Sequence, residues 1–298
     1  MSHAIIIPIY CENRNTINLC NELQNFGAEH IVVVNDGLNP KSEYFNELTS
    51  IGCHLVHLKN NNGKGASLKA GIKYAHDNLY NITGYITCDA DGQHTANDVM
   101  KISRMLDLRN GSLILGKRDY KKSKMPINIR IGNRLSSAYF KVITGKSCKD
   151  TQTGLRGIPA FLYDTVMKTK GSRFDFEMNF LTKCADMRVP FYFVNIIADC
   201  SNCSSNFRLI KDTYLIYRTP LRFATASIGC TIIDLVLFTI FAYILPSHMF
   251  FNIMLATLMA RVVSGGINFL INRKVIFGNT DNGAKQALRF FILFFCIM

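Results

Sequence analysis

A chain of 298 residues is too long for a disulfide-stapled miniprotein and long enough for one large domain or two ordinary ones. Its 48% hydrophobic content, rich in Ile, Leu, Val and Phe, excludes a wholly disordered or collagen-like chain, and the polarity of most of its length excludes a many-span transporter. The net charge of +13 calls for an anionic partner, either nucleic acid or a membrane leaflet.

The mean hydropathy of +0.12 averages over two different halves. Up to about Asn206 the composition is that of a globular protein, and beyond Leu221 it is mostly apolar. Of the ten cysteines, Cys200 and Cys203 alone form a CxxC pair, and no second pair or nearby histidines complete a zinc set. Reduced thiols facing the cytosol are expected. The opening apolar run Ala4–Ile9 has the length of a strand and is broken by Pro8, unlike a signal peptide.

In chain order, Ala4–Tyr10 reads as a buried strand and Asn15–Phe26 as a helix, from the spacing of Ile17, Leu19, Leu23 and Phe26. Ile31–Val34 is a second strand, closed by the turn signal Asn35-Asp36-Gly37. His54–Leu58 is a third, Lys64–Leu79 a helix, and Gly84–Cys88 a fourth strand running into Asp89. Strands that are apolar throughout, alternating with helices, predict a mostly parallel α/β sheet covered on both faces. Ligands gather at the carboxyl ends of such strands, where the polar clusters of this chain fall.

Phe223–Leu245 is about 23 residues with one charge, Asp234. As a helix it would be roughly 34 Å long, enough for a hydrocarbon core of about 30 Å. A turn at Pro246 precedes a second apolar run, Met249–Ile271, which carries Arg261. Ala287–Met298 begins a third and stops too early to span. Arg218 and Arg222 precede the first span, Arg273 and Lys274 follow the second, and the connection has no Lys or Arg. The positive-inside tendency places the large domain and the Arg273–Lys274 loop in the cytoplasm of a multi-pass protein of the cell membrane.

Asp89-Ala90-Asp91-Gly92-Gln93 carries the chemistry. Two carboxylates one residue apart, at the end of a buried strand, can hold a hard divalent cation such as Mg²⁺ or Mn²⁺, which would neutralise the diphosphate of a nucleotide sugar. Asn61-Asn62-Gly63-Lys64-Gly65 pairs glycines around a lysine ahead of a helix, suiting close approach to a phosphate or ribose, without the spacing of a P-loop. Lys117, Arg118, Lys121, Lys122, Lys124, Arg130 and Arg134 fall within about 18 residues, with Asp119 the only acid. Nucleic-acid binding would want interleaved aromatics, and Tyr120 is the one available, so a phosphate-bearing lipid fits better. Glu177, in Phe174-Asp175-Phe176-Glu177, reads equally as a base or as the start of a helix. His57 and His94 read as bystanders.

Ile7-Pro8-Ile9-Tyr10-Cys11-Glu12, Val34-Asn35-Asp36-Gly37, Asn62-Gly63-Lys64-Gly65, the Asp89–Gln93 cluster, Gly116-Lys117-Arg118, Arg130 through Asn133-Arg134-Leu135, and Asp150 through Thr153-Gly154-Leu155-Arg156 occur together and in order. With Asp234 and Asn268 through Arg273-Lys274, the chain resembles a bacterial family-two glycosyltransferase of the dolichyl- or polyprenyl-phosphate sugar synthase type, joined to a truncated GtrA-like membrane domain.

The resemblance implies a GT-A (Rossmann-like) catalytic domain over 1–206, a juxtamembrane amphipathic linker over 207–222 and a transmembrane domain over 223–298. It implies that Pro8, Tyr10 and Glu12 line the nucleotide pocket, with Asn35 or Asp36 near the base, and that Lys64 and Ala90 belong to the same pocket. Asp89, Asp91 and Gln93 would hold the metal and the donor diphosphate. Arg118, Arg130 and Arg134 would be candidates for gripping the acceptor phosphate, while Asp150 and Arg156 lie in the segment closing over the site. Cys11 stands where the family has Asn, Asn35 where it has Asp, and the membrane tail is shorter than four spans; the first two bear on base recognition rather than reaction type.

The expected activity is transfer of a sugar from a nucleotide sugar, UDP-glucose or a related UDP-sugar, to polyprenyl (undecaprenyl) phosphate for envelope glycosylation. The lipid phosphate is already anionic and needs no strong base, so catalysis would rest on positioning and on stabilising the leaving diphosphate. Related enzymes often assemble through their membrane segments. The rivals are a synthase using GDP-mannose, and a non-catalytic nucleotide-binding or flippase-type membrane subunit. A processive polysaccharide synthase would carry Gln-x-x-Arg-Trp, and the chain has no tryptophan.

Overall fold

The computed structural model describes residues 3–119, 127–197, 209–245 and 250–271. The chain divides into two units, Met1–Asp212 and Thr213–Met298. In the first, strands β1 (His3–Ile9), β2 (His30–Asp36), β3 (His54–Leu58), β4 (Gly84–Thr87), β5 (Leu113–Arg118), β6 (Arg156–Pro159) and β7 (Phe191–Ile196) form one sheet in the order β3-β2-β1-β4-β6-β5-β7. All neighbours are parallel except β6, which is antiparallel to both β4 and β5.

The mostly parallel α/β sheet expected from the sequence is present, and its β1 and β2 are buried along nearly their whole length because helices cover both faces. Ile5, Ile7, Ile31, Val33 and Ile86 contribute to one core with Ile17, Leu23, Val99 and Ile102 from the helices. Pro8 is tolerated in an inner strand because β1 has there run past β4, their last pair being Ile6–Thr87.

Helices α1 (Arg14–Asn25), α2 (Glu43–Ser50), α3 (Lys64–Asn78) and α4 (Ala96–Leu108) alternate with the first strands. Asn13, Ser42 and Thr95 cap α1, α2 and α4 through side-chain oxygens that accept from backbone amides of the first turn. Helix α5 (Ile127–Thr144) follows β5, and α6 (Tyr163–Lys168) and α7 (Phe174–Asp186) lie between β6 and β7. Of the basic stretch, Lys121, Lys122 and Lys124 lie outside the described residues, as do Cys200 and Cys203. The seven described cysteines are free thiols.

The described residues of the second unit are nearly all helical. The first expected span is part of a longer helix, α8 (Leu209–Ile244), which runs through Pro220, and the second is α9 (Phe250–Ile271). Ser227–Ile244 and Asn252–Leu270 are each long and apolar enough to cross a membrane. Asp234, the charge in the first, accepts a hydrogen bond at 2.7 Å from the Ser264 hydroxyl of α9, which satisfies a carboxylate that hydrocarbon could not. Pro246, the Arg273–Lys274 loop and the third apolar run, Ala287–Met298, lie outside the described residues.

Candidate active site

The site is built on the carboxyl end of β4. Backbone pairing continues one residue past the strand, with Cys88 donating to the Ile6 carbonyl, and then releases the chain into the Asp89–Gln93 loop. Helix α1 holds that loop from one side: the Thr16 hydroxyl donates to the Ala90 carbonyl at 3.0 Å, and the Asn15 amide to the Asp91 carbonyl at 3.4 Å. Gly92 turns the loop at φ +85°, where only glycine is unstrained. Gly154 closes the other side, since a Cβ there would lie 2.0 Å from Asp89 Oδ2.

Asp89, Lys64, Glu177 and Arg156, from four parts of the chain, form a run of charge contacts. Lys64, the first residue of α3, places Nζ 2.6 Å from Asp89 Oδ1 and 3.1 Å from Glu177 Oε1. Glu177 stands in the first turn of α7, 3.9 Å from Arg156 Nη2. Burial alone would lower the Lys64 pKa, but Asp89 and Glu177 hold its ammonium form above the ordinary range. Burial would likewise raise Asp89, and Lys64 with His94 pulls it well below the usual carboxylate range. Asp91 goes the other way, raised by burial and then by the charge of Asp89. It accepts from the Gln93 backbone at 3.1 Å and from the Gln93 side-chain amide.

The remaining sequence candidates take distinct places. Asp36 accepts from the backbone amides of Asn62 and Gly63 at 2.8 and 2.9 Å, so it fixes the loop that launches Lys64. Asn35 is closed on Leu38 and on the His57 ring. Pro8 is buried in β1, Tyr10 lies just beyond it half-buried, and Glu12 is exposed. Arg118 makes a two-pronged pair with Asp150, Nε to Oδ2 at 2.7 Å and Nη2 to Oδ1 at 2.8 Å, both side chains buried. That pair separates it from Arg130 and Arg134, which share the exposed side of α5. Arg156 donates to the carbonyls of Thr151, Thr153 and Glu177, tying the segment after Asp150 to α7.

His94, read from the sequence as a bystander, lies beside the charge cluster. It is buried, and its Nε2 lies 3.5 Å from Asp89 Oδ2, too far for a hydrogen bond. The signal was the turn at Gly92, which folds the chain back toward the aspartates. His57 stays outside, packed edge-on against Phe45. Glu177 stands in the first turn of α7, as the helix-start reading expects, and its carboxylate is paired with Lys64.

Among the described residues no three His, Cys, Asp or Glu side chains converge into a protein-only metal cage. A Mg²⁺-type ion does not need one, since one or two carboxylates complemented by substrate phosphates and water suffice. Asp89 and Asp91 fit that requirement, and a cation would offset both the burial and the neighbouring Asp89 charge that disfavour ionised Asp91.

Residues 4–164 match the family model for glycosyl transferase family 2, and residues 222–298 match that for the GtrA/DPMS transmembrane domain. The first match spans more than half of the chain, and the protein belongs to glycosyl transferase family 2; it is a glycosyltransferase with a GtrA/DPMS membrane domain. An uncharacterised protein of Methanocaldococcus jannaschii is 32% identical over 188 residues, covering 59% of this chain and 73% of the relative. The UDP-N-acetylglucosamine–dolichyl-phosphate N-acetylglucosaminyltransferase of Methanococcus voltae is 29% identical over 172 residues, 51% of this chain and 67% of that one. The glucosyl-3-phosphoglycerate synthase of Mycobacterium tuberculosis, in complex with UDP, superposes with a TM-score of 0.54 at 12% identity, over 74% of this chain and 78% of that chain. At that identity the likeness concerns the fold alone, and the fold is GT-A.

Proposed function

We propose that the protein transfers a sugar from a nucleotide sugar, UDP-linked in the first instance, to the phosphate of a polyprenyl phosphate, yielding a polyprenyl-monophosphate sugar at the cytoplasmic face of a cell membrane. The observation that carries this reading is the Lys64–Asp89–Glu177 cluster beside Asp91, at the carboxyl end of a parallel sheet in a chain with a transmembrane domain. The Methanococcus voltae relative, whose name gives a UDP-sugar donor and a dolichyl-phosphate acceptor, supports both substrate classes.

Asp89 and Asp91, with Gln93 beside them, would hold a divalent cation, Mg²⁺ or Mn²⁺, whose charge neutralises the departing nucleoside diphosphate. The Mycobacterium tuberculosis enzyme of the same fold is known with Mn²⁺ and UDP-glucose. Pro8, Tyr10 and Glu12 at the end of β1 would border the nucleotide, in a pocket shaped by Asn35 and Asp36. The attacking oxygen of the lipid phosphate is already anionic, so this chain need only orient it. Arg130 and Arg134, four residues apart on an exposed helix face, can converge on one phosphate. The same face exposes Ile131, Leu135 and Val142, and α5 has no acidic residue, a combination suited to an anionic leaflet.

The test is a panel of UDP-glucose, UDP-N-acetylglucosamine and GDP-mannose with the purified full chain, undecaprenyl or dolichyl phosphate, and Mg²⁺ or Mn²⁺. A lipid-linked product from one donor is expected. Failure of every donor, with nucleotide still bound, would favour a nucleotide-binding subunit instead.

A further inference from the structure

Both oxygens of Asp89 are hemmed in. Gly154 lies so close that a Cβ there would clash with either oxygen, and His94 stands 3.5 Å from Oδ2. Oδ1 is covered by Lys64 Nζ at 2.6 Å. The carboxylate that the proposed function assigns to a cation thus already carries one, supplied by the chain.

Lys64 is built to let go. Its backbone is anchored at the start of α3 by Gly63, whose amide donates to Asp36. The side chain beyond is a flexible four-carbon stem ending in a compact, rotatable charge, unlike the rigid fork of an arginine. A second acid is within reach, for Glu177 Oε1 lies 3.1 Å from Nζ in an ion pair without hydrogen-bond alignment. Leaving Asp89 therefore does not strand a buried ammonium without a counter-charge, which would be costly. Arg156 cannot take this part, because its guanidinium is spent on three backbone carbonyls.

We propose that Lys64 caps Asp89 in the donor-free enzyme and swings to the donor diphosphate when it arrives, tethered throughout by Glu177. Lys64 is thereby a positioning residue that couples cation and donor: each binds weakly alone, because alone it must displace Lys64 or leave it on Asp89, and together they bind well. The inference rests on the assignment of Asp89 and Asp91 to a divalent cation.

The test measures Mn²⁺ binding to the purified full chain by the loss of the free-ion electron paramagnetic resonance signal, with and without pyrophosphate as the diphosphate probe. Lys64→Met should bind donor-free Mn²⁺ more tightly than the wild type by roughly 10–100-fold, the range over which groups bonded to metal ligands alter affinity. It should lose most of the further gain that pyrophosphate gives the wild type. Removing Lys64 alone also changes the local charge, and it leaves two buried acids that could impair folding. Lys64→Met combined with Glu177→Gln restores the wild-type net charge and removes one of those acids. Tighter donor-free Mn²⁺ binding by this double variant than by the wild type is expected. Equal binding would overturn the cap while leaving the cation assignment standing. Absence of Mn²⁺ binding to every form, with or without pyrophosphate, would overturn the cation assignment and the cap with it.

Discussion

Two acid–base pairs of the α/β unit, the buried Arg118–Asp150 and the half-buried Lys64–Asp89, differ in how completely they are satisfied. Arg118 meets Asp150 with two parallel contacts, at 2.7 and 2.8 Å, and its own backbone amide approaches the same carboxylate at 3.3 Å. Planar fork and planar carboxylate leave little for a ligand to improve. At Asp89 one lysine is shared between two carboxylates, a third acid at Asp91 is raised by burial and by the Asp89 charge, and a buried imidazole stands by without a hydrogen bond to either ring nitrogen. Buried polar groups are normally satisfied, so a cluster left short of positive charge marks where a ligand is expected. The contrast predicts that the saturated pair serves the architecture and the unsaturated one the site.

The largest effect should come from breaking the saturated pair. Arg118→Ala leaves Asp150 buried and unpaired, and losing one partner of such a pair costs about 3–5 kcal/mol in a position where Asp150 is 0% exposed. Urea unfolding of the α/β unit should show that loss, and Arg118→Lys should recover part of it, since it keeps the charge without the fork. If Arg118→Ala instead unfolds like the wild type and only raises KM for the lipid phosphate, Arg118 grips the acceptor and the contrast drawn above is wrong.

At the unsaturated cluster the signs of stability and activity should part. Asp91→Asn removes a charge opposite the diphosphate, and transfer should fall by about 10²–10³, as when a single charge-stabilising group is lost. Stability should move the other way. The folded-state pKa of Asp91 is raised, so ionisation costs the fold something that is fully present above that pKa and disappears as pH falls through it. In cation-free buffer at neutral pH the Asn variant should therefore melt higher than the wild type, and the difference should shrink on acidification. A variant that melts lower at neutral pH would mean that Asp91 supports the fold through its bonds from Gln93.

Much of this was legible in the sequence because the signals were local. The apolar runs of β1, β2 and β4, the glycines around Lys64 and the two aspartates after β4 each sit in a short window. So does the 3.6-residue spacing that puts Arg130 and Arg134 on one helix face. What was not legible depends on strand order. Glu177 and Arg156 reach the cluster because β6 is inserted antiparallel between β4 and β5, which carries the Asp150–Arg156 segment and α7 against the Asp89 loop. No periodicity announces an antiparallel insertion in a parallel sheet. Arg118 looked like one charge of a basic run because its partner, Asp150, is 32 residues away. The placement of His94 is hidden for the same kind of reason, since it depends on the turn at Gly92 rather than on its neighbours along the chain. The Ser264–Asp234 contact joins two spans 30 residues apart and has no sequence signature of its own.

The smallest effect supplies the control for the comparison. Arg14 of α1 and Glu47 of α2 form a third ion pair at 2.8 Å, as short as the other two, but their side chains are 71% and 37% exposed. Distance alone would rank it with Arg118–Asp150. Solvent argues otherwise: an exposed pair gains little in high dielectric, loses side-chain freedom and is screened by salt, and such pairs contribute about 0.2–1 kcal/mol. Arg14 also opens α1, where a cation opposes the helix dipole, so its removal returns part of even that small gain. A double-mutant cycle on Arg14→Ala and Glu47→Ala should give a coupling under about 1 kcal/mol that fades at high salt. Transfer activity should be unchanged, because the α1 groups that hold the Asp89 loop are Asn15 and Thr16. A coupling as large as that of the Arg118 pair would show that geometry, rather than burial and saturation, sets the worth of these pairs.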